Sequence, residues 1–215
     1  LSKVNFNSMN VTPAASKAIK FNSSNNGLET GDIGGDMVLL DTVTVTNAGN
    51  ITFDGSLATG FTSTYKEYIF KLIDIHPVTD SVKYYFQVDT SGNTNYNQTI
   101  TSSMFGAYHA EGDGSQGVGY EASHDQTQGT SSETLAINVG NDNDQSVSGY
   151  LHIFDPTNTT FVKHFIAVMN SSSAADNSQQ DFKAGYINTT TALDKITFFF
   201  SSGNQAGTIK MYGVL

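Results

Sequence analysis

The stretch SVSGYLHIFDPTNTTFVKHFIAVMN, Ser146 to Asn170, decides the fold class. YLHIF and FVKHF are short runs of β-branched and aromatic residues, and DPTNTT between them supplies the Asp, Pro and Asn that turns favour. The spacing predicts two adjacent antiparallel strands. The same grammar recurs on both sides. MVLLDTVTVT alternates at period two in its second half, NAGN turns the chain, and ITFDG resumes it. STYKEYIFKLIDIH predicts a long strand with some irregularity, and SVKYYFQVD ends in the turn TSGNTN. YNQTITSSMFGAYHA, ETLAINVG, DFKAGYINTT, DKITFFFSSG and GTIKMYGVL complete the series. About ten short strands with turn-rich connectors, and no segment patterned as an amphipathic helix, predict an all-β protein. A jelly-roll-like antiparallel β-sandwich is the expected architecture. ITFFF and YLHIF are almost continuously apolar, which predicts cover on both faces, with subunit packing as one way to supply the second.

The chain of 215 residues carries a formal charge of −10, and its ten basic residues are all lysine. Charged residues make up 14% of it, well under the usual quarter, so hydroxyls and amides must cover much of the surface. Phosphate neutralisation needs clustered Lys and Arg, and bidentate base reading prefers Arg. Nucleic acid is therefore excluded as an expected partner. No cysteine is present, which rules out disulfides and thiolate metal sites. No apolar run reaches the length of a membrane span and the first residues show no signal-peptide core, so membrane insertion is not expected.

Residues 1–36 differ from the rest. Short apolar islands, Val4 and Phe6, then Ile19 and Phe21, alternate with Asn, Ser and Gly. Alone, such a segment buries too little apolar surface to offset its ordering entropy. It is expected to be an extended anchoring arm, with those four residues as its contacts and a brief helical turn at residues 14–17. GDIGGD, Gly31 to Asp36, lacks the Lys-Ser/Thr pair and the following helix of a phosphate loop, and is expected to be a hinge. Residues 37–215 form the expected sandwich domain.

Candidate chemistry is sparse. NDND, Asn141 to Asp144, offers alternating oxygen donors, with Asp142 and Asp144 as calcium candidates. It has neither the glycine nor the distal glutamate of an EF-hand loop, and Asn and Asp are favoured in hairpin turns, so the tip of a β-hairpin is expected. His152 and His164, facing each other across YLHIF and FVKHF, would make two legs of a metal site with a carboxylate such as Asp155. The alternative is half-buried packing histidines, and no resident cofactor is expected. The Gly-rich loop Glu111–Ser132, with His109 beside it and Tyr120 and His124 within it, offers candidate receptor contacts, for instance to a host-surface glycan. No Gly-x-Ser-x-Gly elbow occurs and nothing singles out a carboxylate pair, so no enzymatic activity is expected.

Several stretches carry a resemblance. KAIKFNSSNNGLETGDIGGDMVLLDTVTVT resembles a segment of structural proteins of tailed phages, particularly those infecting marine bacteria. STYKEYIFKLIDIHPVTDSVKYYFQVDTSGNTNYN, GYLHIFDPTNTTFVKHF and GTIKMYGVL resemble strands of the same group's β-sandwich domain, and LSKVNFNSMN is similar to the opening of some tail fibre and tailspike proteins. The resemblance implies a non-enzymatic virion protein, assembled in the host cytoplasm and displayed on the virion surface. It further implies a homo-oligomer, a trimer in particular, docked to other virion proteins by its arm. A capsid (head) decoration protein is the nearest alternative, since no repetitive shaft is present. A calcium-dependent carbohydrate-binding module and a glycan-cleaving depolymerase are the alternatives from other classes.

Overall fold

Alternating apolar and polar residues put one side of each strand in water and the other in a core, and two sheets back to back are the economical result. The computed structural model describes residues 18–22, 24, 26–31, 37–56 and 58–215. The chain divides into two compact units, Leu1–Asp36 and Met37–Leu215. No helix occurs among the described residues.

In the first unit, β1 (Ala18–Phe21) and β2 (Leu28–Gly31) pair antiparallel. The connecting turn is closed by the Asn22 N–H on the Gly27 carbonyl at 3.0 Å and by side-chain bonds between Asn22 and Asn26. Within the segment expected to be an extended arm, residues 18–31 form a hairpin, because the Asn-rich stretch supplies its own turn chemistry. Ile19 is 39% exposed and Phe21 is 70% exposed on it. The remaining expected anchors, Val4 and Phe6, the helical turn at 14–17 and most of the GDIGGD hinge lie outside the described residues.

The second unit carries β3 (Met37–Ala48), β4 (Ile51–Phe53), β5 (Glu67–Pro77), β6 (Val82–Thr90), β7 (Ile100–Ala110) and β8 (Gln116–Tyr120). These are followed by β9 (Glu133–Val139), β10 (Val147–Phe154), β11 (Lys163–Ser172), β12 (Asn177–Ile187), β13 (Leu193–Phe200) and β14 (Gln205–Val214). One sheet has eight strands in the order β3-β14-β5-β10-β11-β12-β7-β8, and the other has four in the order β4-β13-β6-β9. Every pairing in them is antiparallel. The protein is thus all-β and sandwich-like. Sheets of eight and four do not by themselves establish a jelly roll.

The core between the sheets is aromatic. Phe53, Phe70 and Phe198, from three different strands, meet with ring centroids 5.3 to 6.3 Å apart, in the tilted and edge-on geometries that the ring quadrupole favours. Tyr84 is also fully buried and its hydroxyl donates to Gln205 Oε1 at 2.9 Å. The irregularity expected in the long strand is a bulge at Asp74, which has φ 51°. The register of β5 slips there against both neighbours, and the Asp74 N–H is taken up by Ser148 Oγ at 2.9 Å.

In the second unit one strand was not expected. β8 lies inside what the sequence presents as a loop, and it pairs with β7 from Phe105↔Tyr120 to His109↔Gln116. Gly117 and Gly119 erase the alternation that marks a strand, and the hairpin closes through Asp113, at φ 56°.

Candidate functional site

The expected metal ligands do not converge. Cross-strand register sets His152 opposite Ile166, so His164 lies two positions along from it and does not face it. His152 Nδ1 shares a 2.5 Å hydrogen bond with Glu67 Oε1, while the His164 ring packs edge-on against Tyr186 at 6.1 Å. Asp155 is held elsewhere: Lys66 Nζ reaches one of its oxygens at 3.0 Å and Asn158 Nδ2 the other at 2.7 Å. The Asn158 hydrogen bond lowers its pKa, burial opposes it, and Lys66 adds to the lowering. Asp142 and Asp144 are exposed at the tip between β9 and β10, where the Gln145 N–H donates to the Asp142 carbonyl at 2.8 Å. Gln145 is the residue that matters there. Buried, it accepts from the Asp142 N–H and donates to the Ser173 carbonyl and Asp176 Oδ1, each at 3.1 Å. The tip is a plugged turn. Among the described residues no group of three His, Asp or Glu side chains is arranged to hold a metal.

The candidate receptor contacts point in different directions. His109 Nε2 lies 3.3 Å from Asp113 Oδ1 at the solvent end of β7. The Tyr120 hydroxyl donates to Asp125, and that hydrogen bond raises the pKa of the phenol. His124 turns towards the interior, where burial lowers its pKa.

That interior holds a dense polar cluster. Lys183 on β12 pairs with Glu133 on β9, and both side chains are 0% exposed. Lys183 Nζ also donates to the His124 carbonyl at 2.5 Å. Glu133 accepts from Ser102 Oγ and from Gln126 Nε2, each at 3.1 Å. Gln87, fully buried, donates to the carbonyls of Gln98, Thr130 and Ser131 at 3.0 to 3.3 Å. Together they pin the segment after β8 onto the sandwich. With lysine and carboxylate both closed off from solvent, the cluster fastens the chain and presents no nucleophile or base at a surface.

Beside it, Asp181 accepts from the Ile137 N–H at 3.1 Å and from Gln179 Nε2 at 2.8 Å. Burial pushes its pKa up from 3.8 to about 6, against those two hydrogen bonds. A carboxyl whose folded pKa lies above its unfolded one contributes stability that is full below the unfolded pKa and lost as pH rises through the folded value. The loss here falls between pH 3.8 and about 6, the two values just given. Asp181→Asn should therefore stabilise the protein at pH 8 by about 1–3 kcal/mol, and by far less at pH 4. Urea midpoints at the two pH values check this, and an equal effect at both removes Asp181 as the titrating group.

The remaining feature is a surface. On the outer side of the eight-stranded sheet, cross-strand partners form continuous rows. One row runs Tyr120, Phe105, Phe182, Val168, Tyr150, Lys71, Lys210, Thr42 across all eight strands. Its neighbour runs Ser103, Ala184, Ile166, His152, Ile69, Tyr212, Leu39. Phe105, 49% exposed, stacks on Phe182 with centroids 4.8 Å apart and planes 8° from parallel. Ile166 is 48% exposed, Tyr150 40% and Leu39 50%. Two shallow grooves score the face, one of about 590 Å³ beside Phe154, His164 and Tyr186, the other of about 410 Å³ beside Ile69, Tyr150 and His152. An antiparallel sheet facing water normally turns polar residues outward. Monomeric proteins rarely expose a contiguous apolar face of this size. The sequence shows its residues one by one, but no periodicity reveals that they align across strands.

Comparison with known protein families and with curated proteins gives no match.

Proposed function

We propose that this is a non-enzymatic structural protein of a phage virion, displayed on the particle surface as a fibre-type or adhesin protein, self-associating, and docked by its N-terminal segment. The observation that carries the reading is the apolar outer face of the eight-stranded sheet: in a solitary chain it would stand in water, whereas in an assembly it is covered. The concentration of buried polar groups on chain-fastening duty, with Lys183 and Glu133 sealed from solvent, agrees with a part built for rigidity. An acidic surface without arginine also resists adsorption to nucleic acid and anionic envelopes. The resemblance to tailed-phage structural proteins supplies the setting.

Immunogold labelling of intact particles encoding the chain tests it. Label on the tail supports the fibre-type reading, label on the head supports the decoration alternative, and no label on particles ends both. In a parallel experiment, residues 37–215, which contain every core residue among those described, should fold yet fail to enter particles. Incorporation at the normal level removes the anchoring role of residues 1–36.

A further inference from the structure

We infer that the outer face of the eight-stranded sheet binds the same face of a second copy of this chain, giving a two-fold dimer whose lysine-bearing half meets the partner's aromatic half. The inference rests on the self-association proposed above and assigns its surface and symmetry.

Size is the first ground. Eight strands about 4.8 Å apart, carrying two rows about 6.8 Å apart, make a patch on the order of 500 Å². A stable interface needs about 800 Å² per partner, so the two rows supply more than half of it and the flanking positions of the same face supply the rest.

Charge is the second. The chain carries 20 acidic residues against 10 basic ones, so most surfaces of two copies repel. In the two rows described above the charged side chains are Lys71 and Lys210; the carboxylates of Asp74 and Glu67 stand outside those rows, and Glu67 is paired with His152. Two copies meet here with little acidic charge brought together.

Symmetry is the third. The strand order β3-β14-β5-β10-β11-β12-β7-β8 has its midpoint between β10 and β11. A two-fold axis along the strands at that midpoint exchanges β14 with β7 and β5 with β12. In the row of eight, Lys210 then faces the partner's Phe105 position, and Lys71 faces its Phe182 position. Tyr150 faces Val168 at the centre. One half of the row carries the cations and the other half the aromatic rings, which is the self-complementarity an isologous interface requires. The ammonium groups gain ring faces, the arrangement Lys71 already makes with Tyr212 of its own sheet at 5.2 Å.

Light scattering with analytical ultracentrifugation of the full chain reads the outcome. The wild type should sediment at twice the 23.0 kDa chain mass. Ile166→Glu, at a position 48% exposed and so tolerant of change, should weaken dimerisation by at least ~100-fold while leaving the circular dichroism unchanged, and should remove the concentration dependence of the wild-type Tm. Lys210→Glu and Phe105→Lys should each weaken it about 10-fold, and the double variant should recover to within about 3-fold of wild type. A monomer at every concentration, a trimer, an Ile166→Glu variant that stays dimeric, or additive losses in the double variant each overturn the inference. A dimer that never labels virions leaves this inference standing and defeats the virion reading alone; a monomer that labels them does the reverse.

Discussion

Replacing Lys183 with methionine should cost the folded protein about 3–5 kcal/mol, the largest effect expected of any charge deletion in this chain. The buried pair with Glu133 is not itself a strong source of stability, because taking two charges out of water consumes most of their attraction. Removing one partner is different. Glu133 keeps hydrogen bonds from Ser102 and Gln126, yet its counter-charge is gone and its side chain remains 0% exposed. The His124 carbonyl loses its donor at the same time, so the segment between β8 and β9 should loosen. Urea denaturation gives the stability and amide exchange at Gln126 gives the loosening. The double variant Lys183→Met with Glu133→Gln should regain more than half of the loss, since it removes the orphaned charge. A single variant within about 1 kcal/mol of wild type, the range of exposed ion pairs, would show that the pair is hydrated and the cluster open.

Phe198→Ala should cost about 3–5 kcal/mol by a separate route. Phe198 sits on β13, 0% exposed, with Phe53 and Phe70 edge-on or tilted against it and Tyr84 stacked at 6.5 Å. Those rings come from both sheets, so they cannot collapse into the space without moving strands. Phe198→Leu should cost less than half as much, because it fills most of the volume. Thermal melts of the two variants, with unchanged m-values in urea, check that the loss is packing and not a changed unfolded state. Equal destabilisation by Ala and Leu would mean that ring geometry, not volume, holds the sheets together. Because Phe198 and Lys183 share no partner, the double variant's loss should be the sum of the two.

The strands were legible because each is a local fact. YLHIF and FVKHF around DPTNTT form β10 and β11, paired as the turn between them requires. The long irregular strand is β5, interrupted at Asp74. The NDND turn was legible for the same reason, since Asn and Asp bond their own backbone, but it is no hairpin: β9 and β10 belong to different sheets and do not pair. β8 was not legible, because Gly117 and Gly119 carry no alternation and only the register against β7 makes a strand of them. The β1–β2 hairpin escaped notice for a similar reason, its four-residue strands being too short for a period to show.

The candidate site divides along the same line. That His152 and His164 lie on neighbouring strands follows from sequence; that they miss each other by two positions follows from register, which a hairpin loop of several residues leaves free. Lys183, Glu133 and Asp181 give no sign of burial in the sequence, since each sits in a polar neighbourhood such as SQQDFKAG. Period two fixes that Asp181 and Lys183 share a face, but only the pairing of β12 with β7, and the sheet beneath, makes that face the interior. On the other face, the same pairing lines Phe182 up with Phe105 and Val168 into one row. Composition and spacing therefore determined an acidic all-β chain with its turns in place. Tertiary structure decided which side of each strand meets the core, because side-chain alternation sorts residues into two sets without saying which set is covered.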